Sequence, residues 1–322
     1  MPRGIAHPCT QPAGAAHVLA RSVHMTRRRP LPFRLQLAPF SIHEGAAQGV
    51  SRNRLRASDL SAPFRGTRAQ AGDSGLRTRC EAFSLVMGPH QLFAGPTAAQ
   101  LWGIPVPPRL ARDVRLHVLT VGHDWASIAQ GIIGSRTALP VTPEVMHGLR
   151  LTDAASTWCA LAGLLSVDEL IEAGDRLLGR PMPLSSSEQI DAAIAAHGSR
   201  RGIRRLREAR PQLRAGSESP RETRLRLVVV RGGLPEPEPN GVIALRGGRS
   251  THGDLVFRAY KVLLEYDGQH HREDAEQWAR DVVRLNDLAE AGWLVIRITK
   301  DTPRAEILAR TERALRNRGW RP

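Results

Sequence analysis

Cysteine is scarce in this 322-residue chain: Cys9, Cys80 and Cys159 are odd in number, widely spaced and form no Cys-x-x-Cys pair. That excludes a disulfide framework and a cysteine zinc site. Long apolar runs are missing too, and none approaches the roughly 20 residues that a membrane-spanning helix needs. The first 24 residues mix Pro, His, Gly and Ala without a continuous apolar stretch, so no secretory signal is expected. Met25, followed by Arg27-Arg28-Arg29, reads as an alternative start, with residues 1–29 disordered or upstream of it. A cytoplasmic protein is expected. Glycine-rich phosphate loops, nucleophile elbows and His-Glu-x-x-His are all absent, which removes ATPase, hydrolase-fold and zinc-protease readings. No internal repeat occurs at solenoid spacing.

Lysine is nearly missing as well, at positions 261 and 300 only, so arginine supplies almost all of the 46 basic residues. Against 31 acidic residues they leave a net charge of +15. Arginine forks match phosphate oxygens and guanine edges, which points to polyanions, nucleic acid first, as partners, with nothing in the sequence to separate DNA from RNA. A GC-rich genome would produce the same bias. The charge is uneven: residues 1–90 hold 13 basic and 4 acidic side chains, a net of +9. Hydrophobic residues at 41% fit a folded globular chain. Composition shifts divide it into three units, at 30–68, 83–213 and 216–322.

In the first unit, Phe40 to Arg56 reads as helix, glycine turn and second helix. Ile42, Ala46 and Ala47 would form the apolar face, Gly49 would end the first helix and Ser51 would cap the next. This is the helix-turn-helix pattern, with Arg52, Arg54 and Arg56 at the start of the recognition helix. Phe64 to Arg68 would be a wing whose Arg65 and Arg68 reach the DNA backbone. An ordinary helical hairpin with a solvated basic face fits the same residues.

The middle unit reads as mixed α/β. Thr97 to Gly103 suggests a helix, Leu116 to Thr120 a strand, and Thr152–Ala162 and Val167–Leu178 two more helices. Trp102 and Trp158 are expected as core anchors, and His117 and His147, without partners at metal spacing, as structural residues. Phe40–Leu60, Thr97-Ala-Ala-Gln-Leu-Trp-Gly103 and Thr152-Asp-Ala-Ala-Ser-Thr-Trp158 together resemble the AbiEi-type antitoxin and transcriptional-regulator family. The resemblance implies a winged helix-turn-helix joined to a mixed α/β domain, DNA binding, and on an antitoxin-like reading a protein partner. Gly95, Ser156 and Ala160 depart from the side chains it leads one to expect.

The third unit carries the chemistry. Ser219-Pro-Arg-Glu222 is a capping box ahead of a stripe of Leu225, Val228 and Val229, and Gly232-Gly233 ends that helix. Asn240–Leu245 and Thr251–Phe257 read as a hairpin, and Tyr260–Asp267 as a third strand. Gly268-Gln-His-His-Arg leads into a helix with Trp278, Val282, Leu285 and Ala289 on one face, followed by a strand at Trp293–Ile298 and a last helix after Asp301-Thr-Pro303. The order is αβββαβα.

Strand alternation puts Glu265 and Asp267 on one face, and Asp254 lies one strand earlier. Three clustered carboxylates cannot all ionise without a cation, and oxygen-only ligands select Mg²⁺ or Mn²⁺. Such a metal can activate water and stabilise charge on a scissile phosphate. Solvated strand ends and arginine pairs would also account for them. His271 is the candidate base, Arg284 the charge stabiliser, and Glu222 a further acid already explained by its capping box.

Ser219-Pro-Arg-Glu222, Gly253-Asp254-Leu, Glu265-Tyr-Asp-Gly268, His271, Asp281, Arg284 and Gly292-Trp-Leu-Val-Ile-Arg297 resemble the very-short-patch-repair (Vsr-like) endonuclease family. That family lies within the PD-(D/E)XK nuclease superfamily, so the resemblance implies a restriction-endonuclease-like core that cleaves DNA with a divalent cation. The motif lysine, two residues after Glu265, is Asp267 here, and Lys261 lies earlier on the strand. Two functions are therefore expected to compete. One is a metal-dependent DNA endonuclease with a winged helix at its front. The other is a non-enzymatic DNA-binding regulator that keeps a degenerate nuclease-like domain.

Overall fold

A computed structural model describes residues 29–139, 141, 143–267 and 275–322, without the side chains of 275–278. Among the described residues no helix is long and apolar enough to cross a membrane. The chain is mixed α/β, with three separate sheets.

The first unit holds α1 (Arg34–Leu37), β1 (Phe40–Ser41), α2 (Ile42–Ala47), β2 (Leu60–Ser61) and β3 (Thr67–Gln70), with the strands in the order β1-β3-β2. Ser41 caps α2, its hydroxyl accepting the Glu44 N–H at 3.0 Å. The expected apolar face is reversed: Ile42, Ala46 and Ala47 are exposed and Gly45 is buried. A Cβ on Gly45 would stand 3.0 Å from Leu55 and 3.1 Å from Phe40, so the missing side chain lets α2 rest directly on both. The second helix expected from Ser51 is a single 3-10 turn, Arg54–Arg56, with Ser51 accepting the Arg54 N–H at 3.3 Å. β2 and β3 form a short hairpin, paired Leu60 to Gln70 and Ser61 to Ala69, and Phe64 to Arg68 lie in its loop and at the start of its second strand.

The middle unit comprises α3 (Leu76–Ser84), β4 (Gln91–Phe93), α4 (Gly95–Trp102), α5 (Pro108–Ala111), β5 (Leu116–Val121), β6 (Ile132–Thr137), β7 (Pro143–Met146) and β8 (Leu149–Thr152). Four helices follow: α6 (Ala154–Leu161), α7 (Val167–Leu177), α8 (Ser187–His197) and α9 (Ile203–Ala209). Its five strands run β6-β5-β4-β8-β7. Trp158 is fully buried in the helical core and donates to the Leu170 carbonyl at 2.8 Å, so its polar tip is satisfied. Trp102, half-buried, donates to the Thr152 carbonyl at 2.9 Å and joins that core to the sheet. His147 is exposed at the β7–β8 turn.

The last unit is α10 (Pro220–Arg231), β9 (Glu238–Ala244), β10 (Ser250–Phe257), β11 (Val262–Asp267), α11 (Ala275–Glu290), β12 (Leu294–Thr299) and α12 (Arg304–Asn317). The sheet order is β12-β11-β10-β9; β9, β10 and β11 are antiparallel, and β11 and β12 are parallel. Alternation sends Leu255, Val262, Leu264 and Ile298 toward α10 and α12, while Val256, Leu263 and Val295 pack with Leu288 of α11. β11 begins two residues later than expected, because a 3-10 turn ends at Tyr260 and Lys261 takes a left-handed φ of +48°.

α10 belongs to two cores. Leu225 and Val229 pack on the last sheet, whereas Leu227 joins the helical core around Trp158. Three arginines on α10 meet three acids on α7: Arg224 with Glu172 at 2.7 Å, Arg226 with Asp175 at 2.8 Å, and Arg231 with Asp168 at 2.7 Å. The central pair is almost wholly buried, with side-chain exposures of 2% and 1%. The composition shift at 216 therefore does not separate two independent packings.

Candidate functional site

Asp254 leaves β10 where that strand faces β11. Leu255 pairs with Leu264, so the next step of the antiparallel register sets Asp254 across from Glu265, on the face that α11 covers. The Asp254 carboxylate accepts the Tyr266 N–H at 2.7 Å. Burial, with the charges of Glu222 and Glu265 beside it, pushes the Asp254 carboxyl up to about 6; the Tyr266 N–H and Arg284 only partly oppose this. Glu222 is held at the start of α10, its two oxygens accepting the Ser219 hydroxyl at 2.7 Å and the Glu218 N–H at 2.9 Å. Burial raises its carboxyl as well. Ser219 caps α10 by accepting the Glu222 N–H at 3.3 Å, but the Glu222 carboxylate takes the Glu218 N–H in place of the Ser219 N–H, so the expected capping box forms only by half, and Glu222 lies beside Asp254.

Arg284 reaches in from α11. Its guanidinium pairs with Glu265 and also donates to the Thr251 hydroxyl at 2.9 Å and the His252 carbonyl at 2.6 Å. Glu222, Asp254, Glu265 and Arg284 therefore form one cluster. Asp267 is not in it: it lies two residues farther along β11 and pairs with Arg297 of β12 at 2.9 Å. The expected convergence of Asp254, Glu265 and Asp267 on one cation is corrected accordingly. Among the described residues no three His, Cys, Asp or Glu side chains are grouped to hold a metal ion. The physical reason is that Glu265 and Asp267 each face an arginine, while Asp254 is turned onto a backbone N–H.

His271, expected as the base, lies outside the described residues, as do His270 and the rest of 268–274. Lys261 is not a substitute for the motif lysine, because its ammonium donates to the Ala291 carbonyl at 3.1 Å and braces the end of α11. A residue missed in the sequence is His252, two positions before Asp254 on the same face of β10 and exposed. It lines an open cleft of about 590 Å³ with Glu218, Asn240 and Arg180. The run His252-Gly-Asp254 was the available signal, since a histidine two residues from a strand carboxylate shares its side of the sheet.

The five arginines expected to touch DNA divide into two groups. Arg52, Arg56 and Arg65 are exposed, Arg65 in the loop between β2 and β3. Arg54 is not available: it holds Asp59 through two bonds of 2.9 and 2.8 Å, donates to the Arg29 carbonyl and keeps an exposure of only 11%. Arg68 donates to the Leu55 carbonyl at 2.5 Å and fixes the 3-10 turn against β3. These two are structural because an acid and a free helix-end carbonyl stand within reach of them.

The chain is similar to two curated proteins, Uncharacterized protein Rv2248 of Mycobacterium tuberculosis strain H37Rv and Uncharacterized protein MT2308 of strain CDC 1551. Each is 29% identical over 236 residues, spanning 73% of this chain and 84% of the relative. No family model and no solved structure matches the chain.

Proposed function

We propose that this protein binds DNA through its amino-terminal unit and hydrolyses phosphodiester bonds at a metal-dependent, endonuclease-like site in its last unit. The observation that carries the reading is the Glu222–Asp254–Glu265 cluster, in which burial first, and then the neighbouring charges of Glu222 and Glu265, raise the Asp254 carboxyl to about 6. Charge crowding of this kind on adjacent strands marks a site for a cation. The αβββαβα order, and a sheet whose last two strands are parallel, support a restriction-endonuclease-like core. The short β2–β3 hairpin behind α2 supports the winged helix-turn-helix.

Oxygen donors of this kind would suit a hard divalent ion, with two carboxylates here rather than a group of three among the described residues. Asp254 and Glu265 offer carboxylate oxygens, and the raised Asp254 carboxyl is the feature such an ion would relieve. When bound, Mg²⁺ or Mn²⁺ would supply an activated water and neutralise phosphate charge. Arg284, already at Glu265, would steady negative charge on the scissile phosphate. His252 in the neighbouring cleft would take or return a proton. Arg52, Arg56 and Arg65 would hold the DNA backbone.

A second reading is a non-enzymatic DNA-binding regulator, antitoxin-like and with a protein partner, whose nuclease-like unit only adds surface. The pairing of Glu265 with Arg284 and of Asp267 with Arg297 favours it, because each carboxylate is then neutralised without a metal. Supercoiled plasmid incubated with the purified chain under Mg²⁺, Mn²⁺ and EDTA separates the two. The nuclease reading expects nicking with either metal, none in EDTA, and a loss of orders of magnitude in Glu265→Gln with DNA affinity retained. A wild type that binds DNA but neither nicks it nor gains thermal stability from the metals would leave the regulator reading.

A further inference from the structure

The middle unit contains a cavity of about 530 Å³ between β5, β6 and the helices α6 and α8, and none of the carboxylate cluster lines it. It exists because small residues form its walls: Gly95 at the start of α4, Ser156 and Ala160 on α6, and Ala193 and Ala196 on α8. Such a volume is within the range of about 300–1,000 Å³ usual for small-molecule sites.

The cavity's charge is one-sided. Arg136 of β6 and Arg200, just past α8, both line it, and neither meets a carboxylate among the described residues. Arg200 is oriented by the Ala196 and His197 carbonyls, at 2.6 and 2.8 Å. Arg136 lies 5.8 Å above the ring of Trp125, an indole that is 86% exposed. The one carboxylate in the wall, Asp153, caps α6 by accepting the Ser156 N–H at 2.8 Å, and the two arginines leave the wall with a net positive charge. His117 and His197 complete the polar lining, and burial lowers both imidazoles, so they favour the neutral form. Leu119 and Leu164 supply an apolar surface.

We propose that this cavity is a binding site for a small phosphate-bearing ligand of mononucleotide size. Arg136 and Arg200 take the phosphate, the neutral His117 imidazole and the His197 ring nitrogen that is not bonded to the Arg201 carbonyl offer hydrogen bonds, and the apolar wall receives the ring. Two guanidinium forks suit a doubly charged phosphate better than a singly charged carboxylate. The site does not depend on the carboxylate cluster, and its ligand need not be a nuclease substrate.

Calorimetric titration and thermal shift on the full chain test it, with AMP, GMP, CMP and UMP each compared with its nucleoside and with inorganic phosphate. At least one nucleotide should bind and raise the melting temperature, with its nucleoside weaker by about tenfold or more, since the charge-assisted bonds are lost. Arg136→Ala and Arg200→Ala should each weaken it about tenfold. Ala160→Phe, from an exposed helical position, should fill the space and abolish binding while the unliganded melt stays unchanged; Ala196→Phe does the same from the opposite wall. Absence of binding by all four nucleotides at millimolar concentration overturns the proposal. So does a nucleoside that binds as tightly as its nucleotide, or binding that survives both phenylalanine variants. If those variants instead weaken only an oligonucleotide, the cavity is part of a nucleic-acid surface and the small-ligand assignment is wrong.

Discussion

Arginine does opposite work at the two ends of this chain. In the first unit, Arg52, Arg56 and Arg65 stand in solvent, ready for a polyanion. In the last unit, Arg284 and Arg297 each face a carboxylate of β11, and Arg224, Arg226 and Arg231 are locked to α7. A net charge of +15 is therefore no measure of the surface that DNA would meet. What counts is which guanidinium groups lack an internal acceptor, and that follows from the fold.

The most severe way to break this contrast is at the buried pair. Arg226→Ala leaves Asp175 as a buried carboxylate without its cation, and the full chain should lose about 3–5 kcal/mol, the usual result of removing one partner from such a pair. Urea denaturation measures it. A loss below about 1 kcal/mol would mean that α7 and α10 separate easily and the pair is not part of a shared core.

Asp254 gives a smaller effect with a defined pH dependence. Its folded-state carboxyl, at about 6, lies above the ordinary 3.8, so the folded chain holds that proton more tightly than the unfolded chain does. Its contribution is full below pH 4 and is lost as the pH climbs toward 6. Asp254→Asn should accordingly stabilise the protein at pH 8 by about 1–3 kcal/mol and change little near pH 4. Denaturation midpoints for both proteins at the two pH values check the sign. Mg²⁺ should narrow the gap at pH 8 if the cluster holds a cation, because the ion then stabilises the wild type alone.

The mildest change sharpens the arginine comparison itself. Replacing Arg52, Arg56 and Arg65 by alanine should leave the melt unchanged and flatten the log–log salt dependence of DNA binding by about 0.9 for each phosphate that is no longer neutralised. Arg54→Ala should do the reverse, lowering the melting temperature through Asp59 while the slope stays constant. Fluorescence anisotropy across a salt series reads the slopes. Equal slopes for wild type and the triple variant would place the DNA surface elsewhere.

Much of the last unit could be read from the sequence because its signals are local. Ser219 and Glu222 lie three residues apart, Gly232-Gly233 stops the helix, and the alternation in Val262–Asp267 needs no distant partner. The first unit misled where tertiary contact decides. Gly45 had no place in the expected apolar face of Ile42, Ala46 and Ala47, yet its lack of a side chain is what brings α2 onto Phe40 and Leu55. The carboxylates were legible as a group, but their partners were not: Arg284 lies 19 residues from Glu265 and Arg297 lies 30 from Asp267. No spacing rule links them before the sheet and α11 are assembled. Asp175 and Arg226, 51 residues apart, were invisible for the same reason.

The clasp on α10 also gives that helix a mechanical role. A 12-residue helix is a rod about 18 Å long. Here α7 grips it through Arg224, Arg226 and Arg231, while Glu222 sits at its leading tip beside Asp254. The acidic tip therefore takes its position from a neighbouring layer as well as from the sheet it serves. Any sliding or tilting of α7 is delivered to the carboxylates as a change in spacing, and trimming the chain at residue 216 would leave the rod without its handle.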